Sequence, residues 1–218
     1  MNTAITSAIQ RLNSKLPLKL RQTALPPELA NVHRATLTSL ANHGRPLDRE
    51  ELHKLLAAED VDTALSRLAG DDLIVMNSSG NGIAGAYPMT TAATPHHLKV
   101  NDQSVNAMCA VDALSVGPMF NTKVEISSSC HVTGTAINIH MQGATLHEVS
   151  PSSDVTVGVR WQNPSACAAH SLCLEMVFLQ DRSTALEWQA GDNENTSLFS
   201  LQDAIAFGAG FFTPLLQD

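Results

Sequence analysis

The sequence predicts an α+β fold: an N-terminal winged-helix-like helical module, followed by a mixed, mainly antiparallel β-sheet domain with flanking helices. Three observations carry this prediction. Helical spacing with capping signals fills the chain up to about residue 70. Strand-like alternation dominates after about residue 91. The composition, 44% hydrophobic and 16% charged over 218 residues, is that of a globular chain long enough to bury a substantial core. The expected divisions are an extension over 1–27, the winged-helix-like module over 28–90 and the larger domain over 91–218.

The first segment, "MNTAITSAIQRLNSKLPLKLRQ", spaces its apolar residues helically but interrupts them with Gln, Arg, Asn and Lys. A signal-peptide core does not tolerate such interruptions, so the segment reads as an amphipathic helix. "ELANVHRATLTSLANHG" reads as the first helix of the module, ending at Gly44, a usual C-terminal stop. "RPLDREELHKLLAA" offers Asp48 as N-cap with Glu51 three residues on, the capping-box pattern. "EDVDTALSRLAGDD" gives a third short helix, and "LIVMNSSGNGIAGAYPM" a strand, a turn and a second strand. Three helices and a hairpin are the outline of a winged helix.

Beyond residue 91, "HHLKV" and "KVEISSSCHVTGTAINIHM" read as strands, the second broken at Thr133-Gly134. "DVTVGVRW" alternates as a strand, and "SLCLEMVFL" reads as a buried one. "CAVDALSVGPMF" has helical spacing and is expected to end near Gly117-Pro118. "SLQDAIAFGAGFFTPLL" closes the chain as a docking helix.

Charge narrows the function. The net charge is −8, and of thirteen Lys and Arg only Lys123, Arg160 and Arg182 follow residue 100. The second half is therefore not built to hold phosphate. A DNA-reading third helix needs cations. Residues 58–72 carry Glu59, Asp60, Asp62, Asp71 and Asp72 against Arg67 alone, so the winged-helix-like module is expected to be structural. No nucleic-acid partner is expected, and no membrane, since no apolar run reaches about 18 residues. Four cysteines, Cys109, Cys130, Cys167 and Cys173, do not suggest a disulfide scaffold in a chain of this size. A cytoplasmic location with free thiols is the expectation.

The stretch "NAMCAVDALSVGPMF" places Cys109 and Asp112 in an otherwise apolar run. A buried carboxylate costs several kcal/mol unless it is paired or has a task. On a helix the two side chains share a face about 5–6 Å apart at Cβ, where the carboxylate can take the thiol's proton. By spacing alone, a core cysteine with a helix-capping aspartate is the better account of the pattern. Cys130 and Cys173 suit packing, as buried free cysteines commonly do. Cys167, His170 and Cys173 have metal-like spacing but lack a fourth ligand. "GNGIAG" leads from strand to strand, so it is not a dinucleotide fingerprint. His96-His97 lacks a second cluster at ligand spacing.

Taken together, "MCAVDALSVGPMF", "SSSCHVTGTAINI", "SLCLEMVFL", "STALEWQAG" and "SLQDAIAFGAGFF", in this order over residues 85–212, resemble the organomercurial (alkylmercury) lyase family. The resemblance implies cleavage of a carbon–mercury bond by protonolysis, giving a hydrocarbon and Hg(II). It implies Cys109 and Cys173 as the two thiol ligands of mercury, Asp112 as proton shuttle and further mercury ligand, and Cys130 as a structural cysteine. Cys167 has no counterpart. No cofactor is implied, because mercury is substrate and product; cellular thiols, and a mercuric reductase receiving Hg(II), are the implied partners beside organomercurial small molecules. The family commonly has aromatic residues before the first cysteine, where this chain has Asn106 and Met108, and neutral neighbours where it has Glu175. Two alternatives stand: a soft-metal-binding protein of the same fold without efficient lyase activity, and a winged-helix regulator using the cysteines as a sensor.

Overall fold

The structure, a computed structural model, describes residues 2–56 and 60–217. Glu59, one of the acids expected on the third helix of the module, lies outside the described residues.

Helix α1 (Thr3–Lys15) starts where the Asn2 side chain accepts from the Ala4 N–H, and it buries Ile5, Ala8 and Leu12 on one stripe. Pro17 ends it, and a short α2 (Leu18–Thr23) follows. α3 (Pro27–His43) begins with proline in its first turn and stops at Gly44, whose φ of 65° is the left-handed conformation that glycine adopts without steric cost. A side chain at Gly44 would also press on the Ser104 carbonyl, so the helix end is closely seated on the sheet. α4 (Arg49–Leu55) carries the expected capping box: Asp48 accepts from the Glu51 N–H at 2.9 Å, and Glu51 accepts from the Asp48 N–H at 2.8 Å. α5 (Val61–Gly70) is capped by Asp60 and buries Val61, Ala64, Leu65 and Leu68.

The architecture is helix plus antiparallel sheet. Eight strands form one sheet in the order β1-β2-β3-β5-β4-β6-β7-β8, every pairing antiparallel among the described residues. Strands β1 (Val75–Met76), β2 (Ile83–Ala86) and β3 (Met89–Thr90) come first. β3 pairs with β5 (Gln103–Ala107), so the hairpin after α5 runs directly into the larger sheet. β4 (His97–Val100), β6 (Lys123–Ser129), β7 (Ala136–Gln142) and β8 (Thr145–Ser150) complete it. A second sheet of three strands has β9 (Thr156–Arg160) between β10 (Met176–Leu179) and β11 (Thr196–Ser200).

Helix α6 (Ala110–Phe120) is the core element, buried on nearly every face between the two sheets. It runs through Pro118 rather than ending there. Proline removes one helical N–H and crowds the preceding turn, but the buried Val116, Gly117 and Met119 hold in place the last turn, which closes at Asn121 in the left-handed region. α7 (Arg182–Gln189) and α8 (Leu201–Phe212) follow. α8 crosses α6 where Gly208 lies on Ser115; any side chain at 208 would overlap the Ser115 hydroxyl. That close crossing fixes α6, and with it the residues at its N-terminus.

Candidate active site

The polypeptide leaves β5 at Ala107 and enters α6 at Ala110, with Cys109 as the N-cap in extended conformation. Cys109 therefore does not share a helical face with Asp112, as the spacing had suggested. Its sulfur takes the place of a capping oxygen and accepts the Asp112 N–H at 3.3 Å. Asp112, in the first turn, turns its carboxyl toward the chain 61 residues later.

There the expected strand over "SLCLEMVFL" begins only at Met176. Two 3-10 turns, Ala168–His170 and Leu172–Glu175, precede it, and Cys173 sits in the second. An apolar run this short does not distinguish strand from turn, and Leu174 breaks the buried pattern at 61% exposed. The turn brings the Cys173 thiol to 3.9 Å from Asp112 Oδ2, a long contact in which sulfur donates. The Cys109 and Cys173 sulfurs and an Asp112 oxygen lie within 4.8 Å of one another, all buried. Among the described residues this is the group of three potential metal ligands that converges.

Burial sets the proton positions. Desolvation raises the Asp112 pKa to about 8, although contacts from both thiols pull it down. The acid is therefore mostly neutral at pH 7. Burial likewise raises Cys109, against the lowering effects of Cys173 and the Asp112 N–H. Cys173 is held well above the usual thiol range, first by its hydrogen bond to Cys109 and then by burial. A cap at a helix N-terminus favours thiolate; here the loss of water outweighs it. All three groups hold protons until an electrophile displaces one.

Two anchors hold the Cys173 turn. On one side Asp72 accepts from the Tyr87 hydroxyl at 2.9 Å and from the Ala168 N–H at 3.0 Å. The Tyr87 hydroxyl also accepts the Ala169 N–H at 2.8 Å and meets Cys167 Sγ at 3.3 Å. On the other side Arg160 pairs with Glu175 at 3.1 Å and Asp192 at 3.2 Å while lying over the Trp188 ring. Glu175 thus serves as an anchor of the turn. Tyr87 and Met176 were not singled out from the sequence, and Asp72, expected among the acids of the third helix, lies beyond that helix's end at Gly70 and is buried; Tyr87, the sole tyrosine of the chain, was the one with a compositional signal.

A cavity of about 480 Å³ opens over the cluster, with Cys173, Met176, Met108, Cys130, His96 and Phe178 in its wall. Cys173 is the member of the triad that faces this space. A smaller hollow of about 160 Å³ adjoins it, sharing Met108, Pro95 and Leu174. Met108, one of the residues standing where aromatics were expected, therefore divides the two spaces. Cys130 is buried in the wall but outside the triad. Burial raises its pKa, and hydrogen bonds from Thr133, Gln180 and Val132 more than offset that, leaving it below the usual thiol value. His96 is held near pKa 4 by burial, with Nδ1 at 2.9 Å from the Ser128 hydroxyl. His97 instead pairs across strands with Asn106. Cys167 is engaged by Tyr87, and the set Cys167, His170 and Cys173 is not a converging ligand group among the described residues.

The sequence model of the alkylmercury lyase family, MerB, matches residues 89–213. The chain belongs to the alkylmercury lyase family. All three triad residues fall inside the matched region. The chain is 27% identical over 122 residues to the alkylmercury lyase of Staphylococcus epidermidis, an alignment spanning 56% of either chain. It is 26% identical over 195 residues to that of Pseudomonas putida, spanning 88% of both. For the relatives from S. epidermidis and Bacillus cereus, the match thus extends over little more than half their length. The fold is shared with the mercury-bound form of MerB2, with a TM-score of 0.77 at 20% identity, covering 94% of this chain and all of that one.

Proposed function

We propose that the chain is an organomercurial lyase that cleaves carbon–mercury bonds by protonolysis. The observation that carries this reading is the convergence of two thiols and a neutral carboxylic acid within 4.8 Å, beneath a cavity lined by apolar and sulfur-bearing side chains.

The chemistry follows from the residue types. Mercury is soft, and thiolate is the soft ligand a protein offers. Cys173, facing the cavity, takes R–Hg–X first; its thiol proton leaves with X. Cys109 then adds to mercury, and its proton passes to Asp112 as the Asp112 acid gives its own to carbon, so the carboxyl ends the cycle protonated. Two sulfurs raise the electron density on the carbon bound to mercury. The Asp112 acid delivers a proton to that carbon, which leaves as R–H, general acid catalysis at close range. The sum is R–Hg–X plus two thiols giving R–H, HX and a bis-thiolate of Hg(II). These groups balance the reaction, so the reading calls for no cofactor. The apolar setting keeps the acid protonated near pH 7, where its proton is available.

The product, Hg(II) held by Cys109, Cys173 and Asp112, leaves by exchange with small cellular thiols, and a mercuric reductase is the partner that would consume it. The free thiols suit a cytoplasmic site; no helix among the described residues is long and apolar enough to cross a membrane. Residues 28–90 act as a structural winged-helix-like module, a role supported by Arg67 being engaged by Asp71 and Arg49 by Asp62 rather than presented for phosphate.

The test is to incubate the reduced protein with phenylmercury or methylmercury and excess thiol, then measure benzene or methane. Steady hydrocarbon release is expected. Tightly held mercury with no hydrocarbon would replace the lyase reading by soft-metal binding.

A further inference from the structure

Met176 begins β10, three residues after Cys173, and is 3% exposed. The Cys109 thiol donates to its Sδ at 3.7 Å. The same side chain lies in the wall of the cavity that Cys173 faces. The mechanism above gives this third sulfur no task.

The neighbours of each thiol are informative. When R–Hg⁺ or Hg(II) binds a thiol, it replaces the thiol proton, and the groups in contact with that sulfur then face the metal. Cys173 lies beside Asp112, already assigned to mercury; the Cys109 sulfur lies beside Asp112 and Cys173 and, at 3.7 Å, against the Met176 thioether. A thioether is a soft donor, matched to mercury as a carboxylate is not. It carries no proton, so its lone pair binds without adding a proton to the balance or removing one. Its long unbranched side chain lets the sulfur adjust to the metal.

We propose that Met176 is a third sulfur ligand of mercury at the Cys109–Cys173 site. The proposal rests on the reading that these two thiols bind mercury. Met176 donates to mercury as Asp112 turns its proton toward carbon, so that the metal stays held by sulfur while the carboxyl is occupied with transfer. After hydrocarbon leaves, the thioether helps retain Hg(II) until a small thiol displaces it.

X-ray absorption at the mercury edge distinguishes the outcomes. The whole chain is labelled with selenomethionine, reduced, and loaded with Hg(II). Mercury–selenium scattering is expected beside the mercury–sulfur shell. It should vanish in labelled Met176→Leu, a nearly volume-conserving change, and persist in Met108→Leu, which removes the other methionine of the cavity wall. Two mercury–sulfur ligands without any selenium shell would overturn the proposal while leaving the thiol reading intact. A shell lost in Met108→Leu but kept in Met176→Leu would assign the ligand to the wrong methionine. Failure of the wild-type chain to retain mercury after desalting would overturn both readings. Circular dichroism of each variant, expected to match wild type, shows that a lost shell reflects a lost ligand.

Discussion

Asp112→Asn should make the protein more stable at alkaline pH while removing its acid. Asp112 is 2% exposed, and burial raises its pKa from 3.8 to about 8. The unfolded chain loses this proton near pH 4, whereas the folded chain keeps it to about pH 8. Between those values the folded state binds one more proton than the unfolded state, so stability falls as pH rises through the window. Below pH 4 both states are protonated and no difference remains. Each pH unit is worth about 1.4 kcal/mol, so the group costs the wild type roughly 4 kcal/mol between pH 5 and pH 8. Relaxation and water entry around the ionised carboxylate reduce this to about 2–4 kcal/mol. Asparagine keeps the shape and does not titrate. Urea unfolding of the reduced proteins, followed by fluorescence of Trp161 and Trp188, gives both stabilities across that range, with equal slopes required for the comparison. The variant's advantage should grow by about 2–4 kcal/mol from pH 5 to pH 8. An advantage independent of pH would mean that Asp112 ionises alike in both states. The reasoning that makes it a neutral acid at pH 7 would then be wrong.

Three further outcomes follow from the same geometry. Cys109→Ser keeps an N-cap acceptor for the Asp112 N–H, so the fold should survive within about 1 kcal/mol by thermal melting, while hydrocarbon release falls below detection because oxygen is a poor ligand for mercury. Cys173→Ala should abolish turnover and Cys167→Ala should not; a dead Cys167→Ala with an active Cys173→Ala would reassign the second thiol. Tyr87→Phe leaves the Asp72 carboxyl and the Ala169 N–H without their hydroxyl partner, a loss of about 1–3 kcal/mol in urea unfolding. Because that hydroxyl anchors the turn carrying Cys173, kcat should fall as well, and unchanged stability and rate would remove Tyr87 from this role.

Local signals were legible in the sequence because local physics sets them. Gly44 ends α3 because the left-handed conformation there suits glycine, and Asp48 with Glu51 caps α4 through bonds three residues apart. β5 and β8 were not anticipated: Gln103–Ala107 and Thr145–Ser150 carry polar residues on positions that only cross-strand pairing organises. The end expected near Gly117-Pro118 gave way to tertiary packing around α6. The Cys109–Asp112 pair was visible as a spacing, but the role of Cys109 as a cap was not, because a sulfur in place of a capping oxygen has little sequence signature. Cys173 joined the pair only through family resemblance. Sixty-one residues of chain separate it from Asp112, and the turn that closes the gap is held by Tyr87, Asp72 and Arg160, whose partners are all remote in sequence.

The central claim is that a proton held by this triad passes to the carbon of an organomercurial. It is tested most directly by a single turnover in heavy water, with phenylmercury and no added thiol. Equilibrating the reduced protein in heavy water places deuterium on the Cys109 and Cys173 thiols and on Asp112. The account predicts one benzene per protein chain, carrying one deuterium, with Hg(II) left bound to the protein. Phenylmercury recovered intact from the protein, with no benzene formed, would contradict it.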